Sequence, residues 1–136
     1  MTATLGFIGT GTMGAGMCRN LARKSVGKVL ATDLDMASVH ALADAGVVAS
    51  SPQDIARHAS IAFLSLPSIE QVESICLGAD GLAAHAAALK TIVDMSTSDV
   101  AGTRALAEQV RQAGLELIDA PVARSREAAN NGTLLI

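Results

Sequence analysis

The sequence predicts an α/β domain organised as a Rossmann-type doubly wound, mostly parallel sheet, and three observations predict it. Apolar runs of strand length alternate with helix-compatible stretches about every 20–30 residues. Glycines at 9, 11 and 14 form a G-x-G-x-x-G between the first apolar run and the first helical stretch. Asp33 ends the next apolar run, about 20 residues past those glycines, which is the layout of a dinucleotide-binding βαβ unit. The expected strand order is 3-2-1-4-5-6 with right-handed crossovers.

The first strand is expected over residues 3–8 and the first helix over 12–24. Met13, Met17 and Leu21, beside Gly14, Cys18 and Ala22, make one apolar face at helical period. Arg23 and Lys24 favour the C-terminal end of the helix dipole, and Gly27 supplies a stop. In the glycine loop, which carries Thr10, Thr12 and Met13, Gly9 lets the chain turn sharply out of the strand. Gly11 leaves room for a pyrophosphate at the main chain, and Gly14 lets the helix pack close to the strands. The free N–H groups of the first helical turn then face the phosphates.

Residues 28–32 form the second strand, ended by Asp33. A carboxylate there accepts from ribose 2′- and 3′-hydroxyls and repels a 2′-phosphate. The following residues, Leu34, Asp35 and Met36, include no arginine for that phosphate, so NAD is expected over NADP. The competing reading of Asp33 is a cap on the next helix. That short helix carries Val39, Leu42 and Ala43 and closes at Gly46, before a third strand over 47–49. Ser51, Pro52 and Asp54 read as a capped helix start.

Residues 61–66 suit a central strand covered on both faces. Leu66-Pro67-Ser68 breaks it at the carboxyl end, where doubly wound sheets hold ligands, so this loop is a candidate cofactor contact. A helix with Ile69, Val72 and Ile75 stops near Gly78, and an Ala-rich helix is expected over 82–89. The fifth strand, 91–95, ends in Ser96-Thr97-Ser98-Asp99. Hydroxyls there can reach a nicotinamide ribose or a substrate, or cap the helix 100–113; Thr97 or Ser98 can do both. Gly114 closes that helix and 115–118 is the sixth strand. Asp119-Ala120-Pro121-Val122 leads into a polar stretch, 123–132, and a further apolar run starts at 133.

The bulk numbers exclude several classes. With 136 residues the chain is expected to be one dinucleotide-binding domain, 1–136. The net charge is −3 and no Lys/Arg run exceeds two, so no nucleic acid or membrane partner is expected. Phe7 and Phe63 are the only aromatics, too few for base-stacking platforms, and the core must be aliphatic. Mean hydropathy is +0.40, yet no stretch approaches the ~20 apolar residues of a membrane span. No secretory signal is expected ahead of the first strand, since no basic n-region or cleavage site is seen there. Cys18 and Cys76 lack metal-ligand spacing and read as buried thiols of a reducing, cytoplasmic compartment. His40, His58 and His85 are scattered, and no metal is expected.

Several motifs then line up. Gly6-Phe7-Ile8-Gly9-Thr10-Gly11-Thr12-Met13-Gly14, with Met17, Asn20 and Leu21, resembles the N-terminal signature of the β-hydroxyacid dehydrogenases. That family shares this domain with 6-phosphogluconate dehydrogenase. Leu66-Pro67 is similar to its Leu-Pro, and Asp94-Met95-Ser96-Thr97 to its Asp-x-Ser-Thr. Asp119-Ala120-Pro121-Val122 with Gly132-Thr133-Leu134 is similar to its Asp-Ala-Pro-Val and Gly-Thr-Leu pair. The resemblance spans essentially the whole chain.

The resemblance implies that the glycine loop holds the pyrophosphate of NAD and Asp33 the adenosine ribose. Leu66, Pro67 and Gln71 would line the cofactor groove, and Thr97 would approach the nicotinamide. Ser96, Val122 and the residues after it, Ala123 and Arg124, would meet a small hydroxyacid substrate. Ala123-Arg124-Ser125 departs from the family's Ser-Gly-Gly, which holds the substrate carboxylate; Arg124 can grip a carboxylate instead, or be a solvated surface arginine. The family's general acid/base lysine lies on a helix beyond this domain, whereas the last lysine here is Lys90. The chain is therefore expected to be the N-terminal portion of an enzyme whose intact form is a homo-oligomer, lacking the C-terminal helical domain and the catalytic residue. The implied reaction is hydride transfer between NAD and a β-hydroxyacid. A non-catalytic nucleotide-binding or interaction module, and an imine reductase-like enzyme of the same superfamily, are the alternatives.

Overall fold

The computed structural model describes residues 3–96, 99–122 and 126–132. Its strands are β1 (Leu5–Ile8), β2 (Val29–Thr32), β3 (Val47–Ala49), β4 (Ile61–Leu64), β5 (Thr91–Asp94) and β6 (Glu116–Asp119). They form one sheet in the order β3-β2-β1-β4-β5-β6, with every neighbouring pair parallel. The Rossmann-type order expected from the sequence is the order observed. Crossovers are made by α1 (Gly14–Lys24), α2 (Met36–His40), α3 (Pro52–His58), α4 (Ile69–Leu77), α5 (Leu82–His85) and α6 (Val100–Gln112), and α7 (Arg126–Asn131) follows β6. A 3-10 turn, Ala43–Ala45, links α2 to β3.

Strand residues alternate between two apolar layers, as a sheet covered on both faces requires. Ile8, Leu30, Ala62, Leu64 and Ile92 pack with Ile55 of α3, Val72 and Cys76 of α4, and Leu106 and Val110 of α6. Phe7, Val29 and Ala31 face the other way, against Cys18 of α1 and Val39 of α2. The two aromatics meet across the β1–β4 register, with ring centroids 6.4 Å apart and planes 19° from parallel.

Helix starts follow local chemistry. Ser51 accepts from Asp54 N at 3.1 Å, Ser68 from Gln71 N at 3.3 Å, and Asp99 from Gly102 N at 3.1 Å. The cap of α6 is Asp99; Thr97 and Ser98, expected as caps, lie outside the described residues. The expected Ala-rich helix over 82–89 stops at His85, because the chain turns to give the Ala87 and Leu89 N–H groups to the Ala56 carbonyl at the end of α3. The polar stretch 123–132 contains a helix that no periodicity announced. α7 packs on α1, where Asn20 Nδ2 donates to Ala129 O at 2.8 Å and Asn130 O at 3.0 Å.

Candidate functional site

The glycine loop leaves the carboxyl end of β1 at the centre of the sheet. Gly9 has φ +101°, a left-handed conformation, and a Cβ there would run into the Ser65 carbonyl oxygen. A Cβ on Gly14 would collide with the Gly9 carbonyl oxygen, so α1 can begin this close to the turn only with glycine. Gly11 differs: a Cβ there meets no protein atom within 4 Å. Among the described residues no packing contact demands glycine at 11, and its open side lines the cleft beside the loop. α1 starts at Gly14 rather than at Thr12. Met13 at its N-cap gives no side-chain hydrogen bond, and the first turn has no acidic residue. That end keeps its positive dipole uncompensated by side chains.

Beside the loop lies a cleft of ≈ 430 Å³ lined by Gly9, Gly11, Asp33, Leu66, Pro67 and Gln71, together with Leu34, Pro52, Ser65, Ser74 and other neighbours. Six residues singled out from the sequence thus meet around one space, although they come from three strand ends and α4. The rest of the lining was not singled out as site residues. Ser74 and Ile75 lie three and four residues after Gln71, so the helical face carrying Gln71 was a signal for both. Pro52 had none, because only tertiary packing brings the start of α3 here. The lining combines apolar walls with hydroxyls, one amide and one carboxylate, and includes no lysine or arginine.

Asp33 is not the cap of α2; Asp35 is, accepting from Ala37 N at 3.2 Å. The Asp33 carboxylate instead accepts the Thr10 N–H at 2.7 Å on one oxygen and the Asp35 N–H at 2.8 Å on the other. Each carboxylate oxygen has two acceptor sites, so both retain capacity toward the cleft. Thr10 is 1% exposed, and its hydroxyl meets Ser38 Oγ at 2.6 Å. Its N–H and hydroxyl are engaged inside the protein. Thr12 is exposed, and Met13 and Gly14 form the entry to α1.

The ends of β4 and β5 are tied together. The Leu66 N–H donates to Ser96 Oγ at 2.8 Å, and the Ser96 N–H donates to Asp94 Oδ1 at 2.9 Å. Ser96 is buried, so its hydroxyl supports the cleft wall at Leu66 from behind. Asp94 is 0% exposed and its Oδ2 has no partner among the described residues. Burial raises its carboxyl above the ordinary 3.8 and the nearby Asp119 charge adds to that, while bonds from Ser96 act in the opposite direction. Val122 lies apart from the cleft, in an apolar cavity of ≈ 250 Å³ with Phe7, Met17 and Met95 on the other face of the sheet. Thr97, Ala123 and Arg124 lie outside the described residues. Among the described residues no cluster of three potential ligands could hold a metal ion, and no helix is long and apolar enough to cross a membrane.

Comparison with known proteins adds three findings. The family model described as the NAD binding domain of 6-phosphogluconate dehydrogenase matches residues 4–136. Among curated proteins, 2-(hydroxymethyl)glutarate dehydrogenase of Eubacterium barkeri is 37% identical over 97% of this chain and 44% of its own length. The 3-hydroxyisobutyrate dehydrogenase of Pseudomonas aeruginosa is 36% identical over 96% of this chain and 44% of its own. Among solved structures, Mycobacterium tuberculosis 3-hydroxyisobutyrate dehydrogenase with L-serine superposes at a TM-score of 0.87 and 27% identity, over 98% of this chain and 45% of that one. The chain spans under half the length of each of these relatives.

Proposed function

The chain belongs to the family of 6-phosphogluconate dehydrogenase-type NAD-binding domains, and on that premise we propose that it is the cofactor-holding part of an NAD-dependent oxidoreductase acting on a small β-hydroxyacid. The observation that carries the reading is the cleft at the glycine loop. Gly9 and Gly14 are glycines for internal reasons, whereas Gly11 opens onto free space beside the lining. A dinucleotide fits there by chemistry: the pyrophosphate against the loop and the start of α1, the adenosine between Leu34, Leu66 and Pro67, and its ribose at Asp33.

The bound cofactor supplies hydride transfer at its nicotinamide ring. This chain's residues bind and orient it. Residues 1–136 act as one dinucleotide-binding domain. Gln71 and Thr97 complete the groove, Ser96 braces its wall through the Leu66 N–H, and Val122, Ala123 and Arg124 lie toward the substrate side. Loss or gain of the carbinol proton falls to a group outside the cleft residues, which include no lysine or histidine.

NAD is the coenzyme in this reading. Asp33 is the charged residue of the lining, and a 2′-phosphate would meet that carboxylate with no cation to offset it. Titration of the chain with NADH and NADPH, followed by nicotinamide fluorescence, tests both steps. Saturable NADH binding, weaker for NADPH by about tenfold or more, is the expected result. No binding of either coenzyme refutes the cofactor site, and tighter binding of NADPH refutes the assignment of Asp33. The hydroxyacid activity belongs to the whole protein and is checked by NAD reduction with 3-hydroxyisobutyrate-like substrates in the full-length gene product.

A further inference from the structure

Thr10 sits between two glycines, on a loop that glycine would otherwise leave loose. Its residue is nonetheless 1% exposed, and both its N–H and its hydroxyl are taken. The N–H goes to Asp33 Oδ2 at 2.7 Å, across 23 residues of chain. The hydroxyl meets Ser38 Oγ at 2.6 Å, across 28 residues. Ser38 Oγ in turn lies 2.7 Å from the Asp35 carbonyl oxygen. A serine hydroxyl has one proton, and that carbonyl can only accept, so the proton goes to Asp35 and the Thr10 hydroxyl donates to Ser38. Asp35 N–H closes the circuit on Asp33 Oδ1 at 2.8 Å.

We propose that Ser38 is a positioning residue of the cofactor site: through the Thr10 hydroxyl, and in parallel with Asp33 on the Thr10 N–H, it locks the glycine loop in its cofactor-receiving shape before any cofactor arrives. Thr10 is held at two points, by Asp33 of the β2–α2 turn and by Ser38 of α2, so the loop is tied to that turn and the helix it starts. Ordering entropy that a free glycine loop would lose on binding is thereby lost on folding instead, and affinity rises without a new contact to the ligand. Ser38 itself is absent from the cleft lining. The lock acts on the pyrophosphate end, which NAD and NADP share, so it sets affinity for both coenzymes and leaves the choice between them to Asp33. The inference rests on the cofactor reading for its consequence, but not for the lock itself.

The experiment therefore has two arms. In the first, NADH and NADPH are titrated into the wild-type chain and into Ser38→Ala, Thr10→Val, the double variant and Ser38→Thr. Each single variant is expected to weaken both coenzymes by the same factor, about 3- to 10-fold, the worth of one hydrogen bond. The double variant should be no weaker than the singles, because both remove one shared bond. Ser38→Thr, which keeps a hydroxyl, should restore affinity. Unchanged affinity in Ser38→Ala, additive losses in the double variant, or a shifted NADH-to-NADPH ratio would each overturn the proposal. The second arm needs no cofactor: the Thr10 amide is followed by hydrogen exchange. Faster exchange in Ser38→Ala than in wild type supports the lock, and equal exchange refutes it. A wild-type chain that binds neither coenzyme refutes the proposed function, and the exchange arm still decides the lock.

Discussion

Three glycines spaced as one motif have three different physical reasons, and substitution separates them. At Gly14 an added methyl would strike the Gly9 carbonyl oxygen, a backbone atom that cannot step aside. Gly14→Ala is expected to destabilise the fold by about 1–3 kcal/mol, as overpacking does. At Gly11 the same methyl meets no protein atom within 4 Å. Gly11→Ala should leave stability within about 0.5 kcal/mol while weakening NADH binding by roughly tenfold or more, since the pyrophosphate needs that space. Thermal melts beside NADH titrations check the pair; equal stability losses at both positions would contradict the assignment. The pattern was legible in the sequence, but the reasons were not, because they depend on which backbone atom stands opposite each glycine.

At the scale of the element, β5 carries a buried carboxyl at its carboxyl end, where neighbouring β4 carries a leucine. Asp94 pairs in register with Leu64 of β4 and Asp119 of β6, and its residue is fully buried. Burial raises its carboxyl above the ordinary 3.8. The folded state then holds this proton more tightly than the unfolded chain does. Its contribution to stability is present below the ordinary carboxylate range and is lost as pH rises from there through the raised folded value. Asp94→Asn keeps an acceptor for the Ser96 N–H and carries no charge. The melting temperature of the variant relative to wild type should therefore climb over the range from about pH 4 upward. A difference that stays flat over that range would overturn the account. Strand β5 itself was predictable from its apolar run; the burial of its last residue was not, because that depends on α4 and α6 closing over the strand end.

At the scale of the molecule, the sheet separates two apolar layers, and each holds one cysteine. Cys18 lies with Phe7 and Val39, and Cys76 with Leu64 and Val72. Both are 0% exposed, and burial pushes both thiols up to about 12. Raised in this way, they stay protonated and unreactive at neutral pH. A thiol reagent should modify neither in the native chain and both together as denaturant unfolds it, so the two layers report one cooperative transition. Modification of one cysteine well before the other would show that the layers come apart separately.

Periodicity and punctuation in the sequence determined the α/β class, the strand order, the glycine loop and most helix starts. These depend on residues near one another in the chain: alternating apolar runs, Ser51 beside Pro52, glycines five residues apart. The tertiary structure decided what depends on residues far apart. Helix α7 is short and mostly polar, and Asn20 reaches it across 109 and 110 residues of sequence. Asp33 of the β2–α2 turn and Ser38 of α2 take hold of Thr10. Ser96, expected to face a substrate, is turned inward to the Leu66 N–H. A hydrogen bond between distant segments needs only one donor and one acceptor brought together by the fold, and leaves no period in the sequence by which to find it.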